Sequence, residues 1–164
     1  MIFWIDYERF HINFLELKMK KVCQIGIIVK DIEKKVKNWA EILGEPVPAV
    51  TIIDSYEKTD ATYKGKPTSA VAKQALFFLG DVMIELLEPV GSPSTWDDFA
   101  KTNGQGIHHI AFLEENAEKE MAKYKSKNMN IAQQGHWDTG RYFYADSFDK
   151  LGAVIELLEF FPKA

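Results

Sequence analysis

The 164-residue sequence contains a single cysteine, Cys23. One cysteine can form neither an internal disulfide nor a cysteine-based zinc site, so we expect a protein of the reducing cytoplasm. Basic residues are not in excess either, because 20 Lys and Arg stand against 24 Asp and Glu and give a formal net charge of -4. A nucleic-acid partner is therefore not expected, and a small organic substrate is the more reasonable ligand.

Long uninterrupted apolar runs are also absent. The aromatic-rich first 18 residues come closest, but Asp6, Glu8 and Arg9 interrupt them and no cationic start precedes them. We therefore predict neither an export signal nor a membrane segment. Residues 1–20 are interpreted as an N-terminal extension, which is either an arm that docks on an apolar surface or a consequence of start-codon choice.

The rest of the chain has the composition of one globular domain. Hydrophobic residues make up 46% of the sequence and charged residues 27%, which is typical of a folded protein with a core. A chain of this length is long enough for one compact domain and too short for two large ones. We expect a single domain over residues 21–162.

An internal repeat organises that domain. Residues 84–88 (IELLE) recur letter for letter as residues 155–159, and residues 23–29 (CQIGIIV) run parallel to residues 108–113 (HHIAFL). Each of these starts reads as a strand, followed by an amphipathic helix and then three further strand-like stretches. The helices are predicted over residues 31–43, ended by Gly44, and 115–128; the later strands are predicted over residues 47–53, 70–79 and 82–88, and over 130–134, 141–146 and 153–160.

Each half is thus a βαβββ module. Module one is predicted over residues 21–90 and module two over residues 106–162, and the linker 91–105 contains a short helix over residues 96–101 that Ser94 caps. Neither half-sheet can bury both of its faces alone. We therefore expect an α+β fold in which the modules form one curved, partly closed mixed sheet with helices outside. Its concave inner face is the expected ligand site.

Strand alternation predicts which side chains face inward, because neighbours on a strand point to opposite faces. Gln24 is expected to face the inner side and Cys23 the helix layer; in module two, His109 is expected to face inward and His108 outward. Glu85 and Glu156 stand inside apolar strands, at equivalent positions of the IELLE repeat.

Taken one at a time, these residues have ordinary structural explanations. A lone Glu is usually an exposed edge residue, and a lone Gln or His is usually satisfied by hydrogen bonds. Here, however, Gln24, Glu85, His109 and Glu156 occupy two pairs of repeat-equivalent positions, so a pseudo-twofold axis would bring all four to one centre. Two buried carboxylates without a cation would cost several kcal/mol through desolvation and repulsion. The pattern favours a divalent metal site.

These segments resemble the vicinal oxygen chelate superfamily (the glyoxalase/bleomycin resistance/dioxygenase fold), whose members pair βαβββ modules around a divalent metal. The resemblance covers about residues 22–162. The strand around Gln24 resembles the first metal-ligand strand of that family, and the strands around Glu85, His109 and Glu156 resemble the second, third and fourth.

Within the superfamily, residues 85–89 (ELLEP) and the approach to His108 and His109 look most like methylmalonyl-CoA epimerase. One departure is Gln24, because epimerases usually carry His at that position. A Gln, Glu, His, Glu set is similar to the ligands of some glyoxalase I enzymes.

The resemblance implies a metal ion that polarises a carbonyl oxygen while a base removes the neighbouring proton. Three oxygen ligands and one imidazole leave part of an octahedral shell open for substrate, and Co, Ni, Zn, Mn or Mg would suit them. Glu156 is the candidate base, and Glu85 is the symmetry-related second acid or base.

Three functions stay open on the sequence alone. The first is a metal-dependent epimerase of a CoA thioester, and the second is a lactoylglutathione lyase (glyoxalase I)-like lyase. The third is a metal-free protein that sequesters a small molecule. The resemblance also implies a homodimer that binds an acyl thioester. The net charge and the interrupted apolar run, as noted above, predict neither nucleic acid nor membrane as a partner.

Overall fold

The computed structural model of the chain describes residues 20–53 and 56–162. The predictions made for residues 1–19 therefore lie outside the described residues. None of the described helices is both long enough and apolar enough to cross a membrane.

The described strands form one mixed sheet that curls around an inner face, as predicted for an α+β fold. The order across the sheet is β2-β5-β6-β1-β7-β10-β9-β8-β3-β4. The strands are β1 (Lys21–Ile28), β2 (Thr51–Ile52), β3 (Thr62–Tyr63), β4 (Lys66–Pro67), β5 (Val71–Leu79), β6 (Val82–Val90), β7 (Gly106–Leu113), β8 (Ile131–Trp137), β9 (Gly140–Ala145) and β10 (Val154–Phe160). The antiparallel pair β1 and β7 joins the two halves at the centre of the sheet.

Five described helices accompany the sheet: α1 (Ile32–Leu43), α2 (Tyr56–Thr59), α3 (Thr95–Asn103), α4 (Ala117–Lys125) and α5 (Phe148–Leu151). The long helices begin at residues whose side chains accept a backbone N–H three residues on, as N-caps do. Asp31 caps α1, Ser94 caps α3 and Asn116 caps α4. Gly44 ends α1 in the left-handed conformation (φ 70°), which glycine adopts without strain.

Three clusters of buried side chains define the layers. One lies between α1 and module one and another between α4 and module two, so these helices cover the outer face as predicted. The third, which we call the inner core, combines residues of both modules with Trp96 and Phe99 of α3. The short linker helix therefore packs against the inner face of the sheet rather than outside it.

Two β-bulges change the strand alternation that the sequence suggested. Relative to their partners, β1 carries one extra residue at Cys23 and β7 one extra residue at His108. A bulged residue is freed from strict alternation. Cys23 consequently lies in the inner core, and His108 is buried against the rings of Phe99 and Tyr144. The prediction that both residues face the helix layer is wrong for this reason.

The segment after α1 also departs from the prediction. The strand expected over residues 47–53 is only Thr51–Ile52, because Pro46 and Pro48 cannot donate to a sheet ladder. The chain then crosses to the opposite edge of the sheet, where β3 pairs with β8 of module two. We call residues 56–67 the strap. Thr68, just beyond it, donates to the Pro93 carbonyl ahead of α3.

Candidate metal centre

The strand register confirms that the two halves present equivalent positions to the inner face. Gly26 of β1 is the parallel partner of Glu85 of β6, and Ala111 of β7 is the parallel partner of Glu156 of β10. Gln24 lies two residues before Gly26 on β1, and His109 lies two residues before Ala111 on β7. The repeat thus sets all four predicted residues around the central pair of strands.

The four side chains converge on one point. The Nε2 atom of His109 lies 3.1 Å from Glu156 Oε2, 3.3 Å from Glu85 Oε2 and 3.4 Å from Gln24 Oε1. Their exposed fractions are 0% for His109, 3% for Glu156 and 6% for both Glu85 and Gln24. The structure therefore brings the predicted residues together, away from solvent.

The His109 ring lies directly over Gly26. A Cβ placed on Gly26 would stand 1.9 Å from Cε1 of that ring, which is far inside van der Waals contact. Gly26 and His109 are antiparallel partners, and Gln24 and Ala111 form the equivalent pair. The larger imidazole thus requires glycine opposite it, whereas the smaller amide accommodates alanine.

Burial and charge act in opposition at this centre. Burial raises the pKa of Glu85 against the opposing effect of His109. Burial alone would lower the pKa of His109, but the carboxylates of Glu156 and Glu85 outweigh it and raise that pKa to about 10. Burial lowers the pKa of His108 well below its usual range. The two carboxylates therefore create a strong demand for positive charge at Nε2.

The donor set fits a divalent ion on chemical grounds. Apart from His109 Nε2 at 3.1 Å, the buried Glu156 Oε2 has no hydrogen-bond partner among the described residues, which is costly for a carboxylate oxygen unless a proton or a cation joins it. Neighbouring ligands of one octahedral ion are roughly 3 Å apart when each bond is about 2.1 Å, close to the distances around Nε2. Within the described ranges, however, no three His, Cys, Asp or Glu side chains already surround an ion position. Binding would need small rotations that bring the donors around a common point.

The second glutamate of each IELLE repeat has a different task. Glu88 Oε2 accepts the first backbone N–H of α1, from Ile32, at 2.8 Å, and Glu159 Oε2 accepts the first N–H of α4, from Ala117, at 2.9 Å. A carboxylate at a helix N-terminus is favoured by the unpaired N–H groups and the helix dipole. Each motif thus supplies one carboxylate to the inner centre and a second to an outer helix.

Aromatic residues that the sequence analysis did not single out form one wall of the centre. The rings of Tyr144 and His109 have centroids 5.1 Å apart, and Tyr142 packs on Tyr144. The Tyr144 hydroxyl accepts from Trp96 Nε1 at 3.2 Å, and the Tyr142 hydroxyl accepts from Gln133 Nε2 at 3.1 Å. Alternation in β9 could have identified both tyrosines, since Tyr144 is the antiparallel partner of Glu156.

Surface clefts among the described residues lie elsewhere, and two of them are large. One of about 650 Å³ is lined by Lys20, Glu114 and Phe160 among others. The second, of about 780 Å³, lies between α4 and the strap and includes Lys64 and Arg141. Neither is lined by the four converging residues, so the candidate centre does not open into these clefts.

With this geometry established, comparison with known proteins identifies the family. The model of the Glyoxalase/Bleomycin resistance protein/Dioxygenase superfamily matches residues 23–144. The chain therefore belongs to this superfamily, as the resemblance in its strands indicated.

Solved structures share the fold at low sequence identity. A hypothetical protein from Bacillus halodurans C-125 has a TM-score of 0.65 and 22% identity, over 90% of this chain and 99% of that chain. Methylmalonyl-CoA epimerase from Mycobacterium tuberculosis has a TM-score of 0.60 and 18% identity, over 86% of this chain and 88% of that chain. A variant of the Streptomyces coelicolor methylmalonyl-CoA epimerase, in complex with 2-nitronate-propionyl-CoA, has a TM-score of 0.60 and 19% identity, over 87% and 98%.

One curated relative matches over a short stretch. The uncharacterized protein YqjC of Bacillus subtilis (strain 168) is 49% identical over 39 residues, which is 24% of this chain and 28% of that protein. The match spans less than a third of the relative, so it carries no functional information for the whole chain.

Proposed function

We propose that this chain is a metal-dependent enzyme that moves a proton at the carbon next to the carbonyl of a CoA thioester, as a methylmalonyl-CoA epimerase does. The observation that carries the proposal is the convergence of two buried carboxylates and an amide oxygen on His109 Nε2. Such a centre has the donors for a divalent cation and the carboxylates for proton transfer.

Gln24 Oε1, Glu85 Oε2, His109 Nε2 and Glu156 Oε2 would hold the ion. Co, Ni, Zn, Mn and Mg all accept such a set of oxygen and imidazole donors. When bound, a divalent ion at this point supplies a Lewis acid for the substrate's carbonyl oxygen and so lowers the cost of enolate formation.

The chain's own carboxylates would move the proton. Glu156 is the proposed base because it stands at the fourth metal-ligand position of the family resemblance and its buried Oε2 has no hydrogen-bond partner other than His109 Nε2 in the described part of the chain. Glu85 is the proposed second group, because it occupies the position equivalent to Glu156 in the repeat and lies on the other side of His109 Nε2. The apolar and aromatic inner core keeps water from the carbanion.

The fold likeness supports the choice of substrate class. Related epimerase structures contain 2-nitronate-propionyl-CoA or methylmalonyl-CoA. The sequence adds the run of residues 85–89 (ELLEP), which looks like the epimerase motif. An acyl thioester is therefore the proposed small-molecule partner.

Substrate entry requires movement of the cover over the centre. The four residues are almost completely buried, and Trp96 and Phe99 of α3 fill the inner face beside them. Because the strap is tied to α3 by the hydrogen bond that the Tyr63 hydroxyl donates to Asp98, we propose that these two segments open together to admit the thioester.

Deuterium exchange at C2 of methylmalonyl-CoA tests the function. In deuterated water, protein loaded with Co²⁺ is expected to introduce deuterium at C2, and chelator-treated protein is not. Glu159→Gln is a control variant that should keep exchange. Glu159 lies on the same strand as Glu156, but its carboxylate binds Arg141 and the N-terminus of α4. Absence of exchange in the loaded protein would remove the epimerase proposal.

Gln24 supports a second candidate, a glyoxalase I-like lyase, because a Gln, Glu, His, Glu set resembles the ligands of some of those enzymes. The same proton transfer would then act on the hemithioacetal of methylglyoxal and glutathione. Turnover of that adduct, together with no exchange at C2 of methylmalonyl-CoA, would favour the lyase.

Elemental analysis distinguishes the two enzymes from the third candidate, a metal-free protein that sequesters a small molecule. Substoichiometric metal in purified protein, with no gain on adding Co²⁺ or Ni²⁺, would favour it. Assembly as a homodimer and a cytoplasmic location stay predictions from the sequence.

A further inference from the structure

His108, the bulged residue of β7, makes a contact that the proposed chemistry has not used. Its Nδ1 atom lies 3.0 Å from Nδ1 of the adjacent His109. We propose that His108 is a positioning residue that accepts the proton on His109 Nδ1 and thereby directs the lone pair of His109 Nε2 at the candidate metal centre. This inference rests on the proposed function for the identity of that centre.

The bulge makes the contact possible. Consecutive residues of a regular strand point to opposite faces, so two neighbouring histidines would not normally meet. The extra residue at His108 relieves this constraint, and the exposed fractions of His108 and His109 are only 1% and 0%. The His108 ring is held edge-on by Phe99 and Tyr144, each with a centroid 5.4 Å away. The ring is thus fixed in place to meet its neighbour.

Hydrogen-bond chemistry then limits the arrangement. Two imidazole nitrogens at 3.0 Å share one proton, so one donates and the other accepts. If His108 donated, a neutral His109 would carry its own proton on Nε2, where it blocks a metal. If a neutral His109 donates from Nδ1, its Nε2 carries no proton and is left as a ligand atom, which is the usual arrangement of a metal-binding histidine oriented by its second nitrogen. His108 Nε2 has no hydrogen-bond partner within the described chain in either tautomer, so the contact between the two Nδ1 atoms is the one that distinguishes the two arrangements.

Module one lacks a comparable device at the equivalent position. There the bulged residue is Cys23, whose Sγ donates to the Ala111 carbonyl at 3.6 Å, and the neighbouring ligand candidate is Gln24. An amide has no tautomer to select, so only the imidazole needs an acceptor behind it. The bulged residue is therefore an imidazole next to the histidine ligand candidate and a thiol next to the glutamine ligand candidate.

Two His108 variants separate positioning from packing. His108→Phe keeps an aromatic ring against Phe99 and Tyr144 but removes the acceptor, whereas His108→Asn can restore an acceptor near the position of Nδ1. Cys23→Ala is the matched control at the other bulge. Affinity for Co²⁺ is measured by calorimetry, with thermal unfolding to confirm folding. We expect His108→Phe to bind Co²⁺ about 10- to 100-fold more weakly, and His108→Asn and Cys23→Ala to stay within about threefold of the parent on the same scale.

Nitrogen NMR of metal-free, ¹⁵N-histidine-labelled parent protein gives a readout that needs neither metal nor variant. We expect a scalar coupling across the Nδ1–Nδ1 hydrogen bond with the proton on His109. A proton on His108 Nδ1, or equal Co²⁺ affinity of His108→Phe and the parent, would overturn the positioning role. Failure of the parent to bind Co²⁺ while the coupling is present would instead count against the proposed function and leave the positioning geometry supported.

Discussion

The two modules share one strand register at the centre but equip it differently. Module one supplies two smaller residues, Gln24 and Gly26. They lie opposite Ala111 and His109 of module two, respectively. Module two supplies the imidazoles of His108 and His109, with Tyr144 of β9 beside both rings. The comparison teaches that the pseudo-twofold repeat places the four donors, whereas the space and orientation that an imidazole needs come from residues that break the symmetry.

The modules also differ in what they do at the edge of the sheet. Module one sends the strap across to β8 of module two, where the backbone N–H of Lys64 donates to the Ala132 carbonyl at 2.8 Å. In module two, the short connection through α5 returns directly from β9 to β10. The strap of module one therefore packs on the edge of module two, and module two has no matching segment among the described residues.

The largest expected effect is on the rate of C2 deuterium exchange, and it tests the roles proposed for Glu156 and Glu85. Glu156→Gln should lower the rate of C2 deuterium exchange by about 10²–10⁴-fold because it removes the proposed base. Glu85→Gln should also lower the rate, through the loss of a proposed ligand and proton donor. Rates are measured by mass spectrometry of the recovered thioester.

The matched controls for this pair are Glu88→Gln and Glu159→Gln, whose carboxylates bind the helices instead. Both should retain exchange. If Glu156→Gln kept the parent rate with folding intact, Glu156 would not be the base.

A smaller effect is expected from substitutions at Gly26, which lies opposite the His109 imidazole, and at Ala111, which lies opposite the Gln24 amide. Gly26→Ala would force its Cβ into the His109 ring and should destabilise the fold by about 1–3 kcal/mol, as overpacking does. It should also abolish tight Co²⁺ binding by displacing the ring. Urea unfolding and Co²⁺ calorimetry measure the two effects.

The reciprocal change, Ala111→Gly, is the control for that prediction. Removing this methyl group should cost only about 1 kcal/mol and leave Co²⁺ binding in place, because Ala111 faces Gln24. Equal loss of binding in both variants would contradict the proposed asymmetry.

The helix-capping glutamates should behave alike, in contrast to the previous pair. Glu88→Ala and Glu159→Ala are each expected to lower the free energy of unfolding by about 1 kcal/mol, through a lost acceptor at the N-terminus of α1 or α4. Chemical unfolding provides the measurement. A difference of several kcal/mol between the variants would show that the repeat is not energetically equivalent at its outer face.

The smallest effect concerns Cys23 at the module one bulge. Burial raises the pKa of its thiol to about 11, so only about one thiol in a thousand is ionised at pH 8. Native protein should therefore react very slowly with iodoacetamide at pH 8, and unfolded protein rapidly. Fast labelling of the folded chain would place Cys23 outside the inner core.

Much of the fold was predictable because the repeat fixes it. The strands around Gln24, Glu85, His109 and Glu156 alternate and recur, so the convergence of these four residues was predictable from the sequence. The bulges at Cys23 and His108 were not predictable, because a bulge arises from the register of two strands and leaves no mark in the spacing of one. Alternation failed at those two positions for that reason.

The cover over the site was equally hidden. Pro46 and Pro48 could have shortened the strand expected over residues 47–53, but the pairing of β3 with β8 depends on a contact between segments about 70 residues apart. The position of Trp96 against Tyr144 required the tertiary structure as well, since an amphipathic linker helix can pack on either face of a sheet. Local patterns thus located the donors but not the residues that enclose them.

Anomalous diffraction from crystals grown with Co²⁺ tests the central claim most directly. We predict one strong peak per chain, within about 2.1 Å of Gln24 Oε1, Glu85 Oε2, His109 Nε2 and Glu156 Oε2. A well-ordered structure with no peak at this point, or with Co²⁺ bound only at other residues, would contradict it.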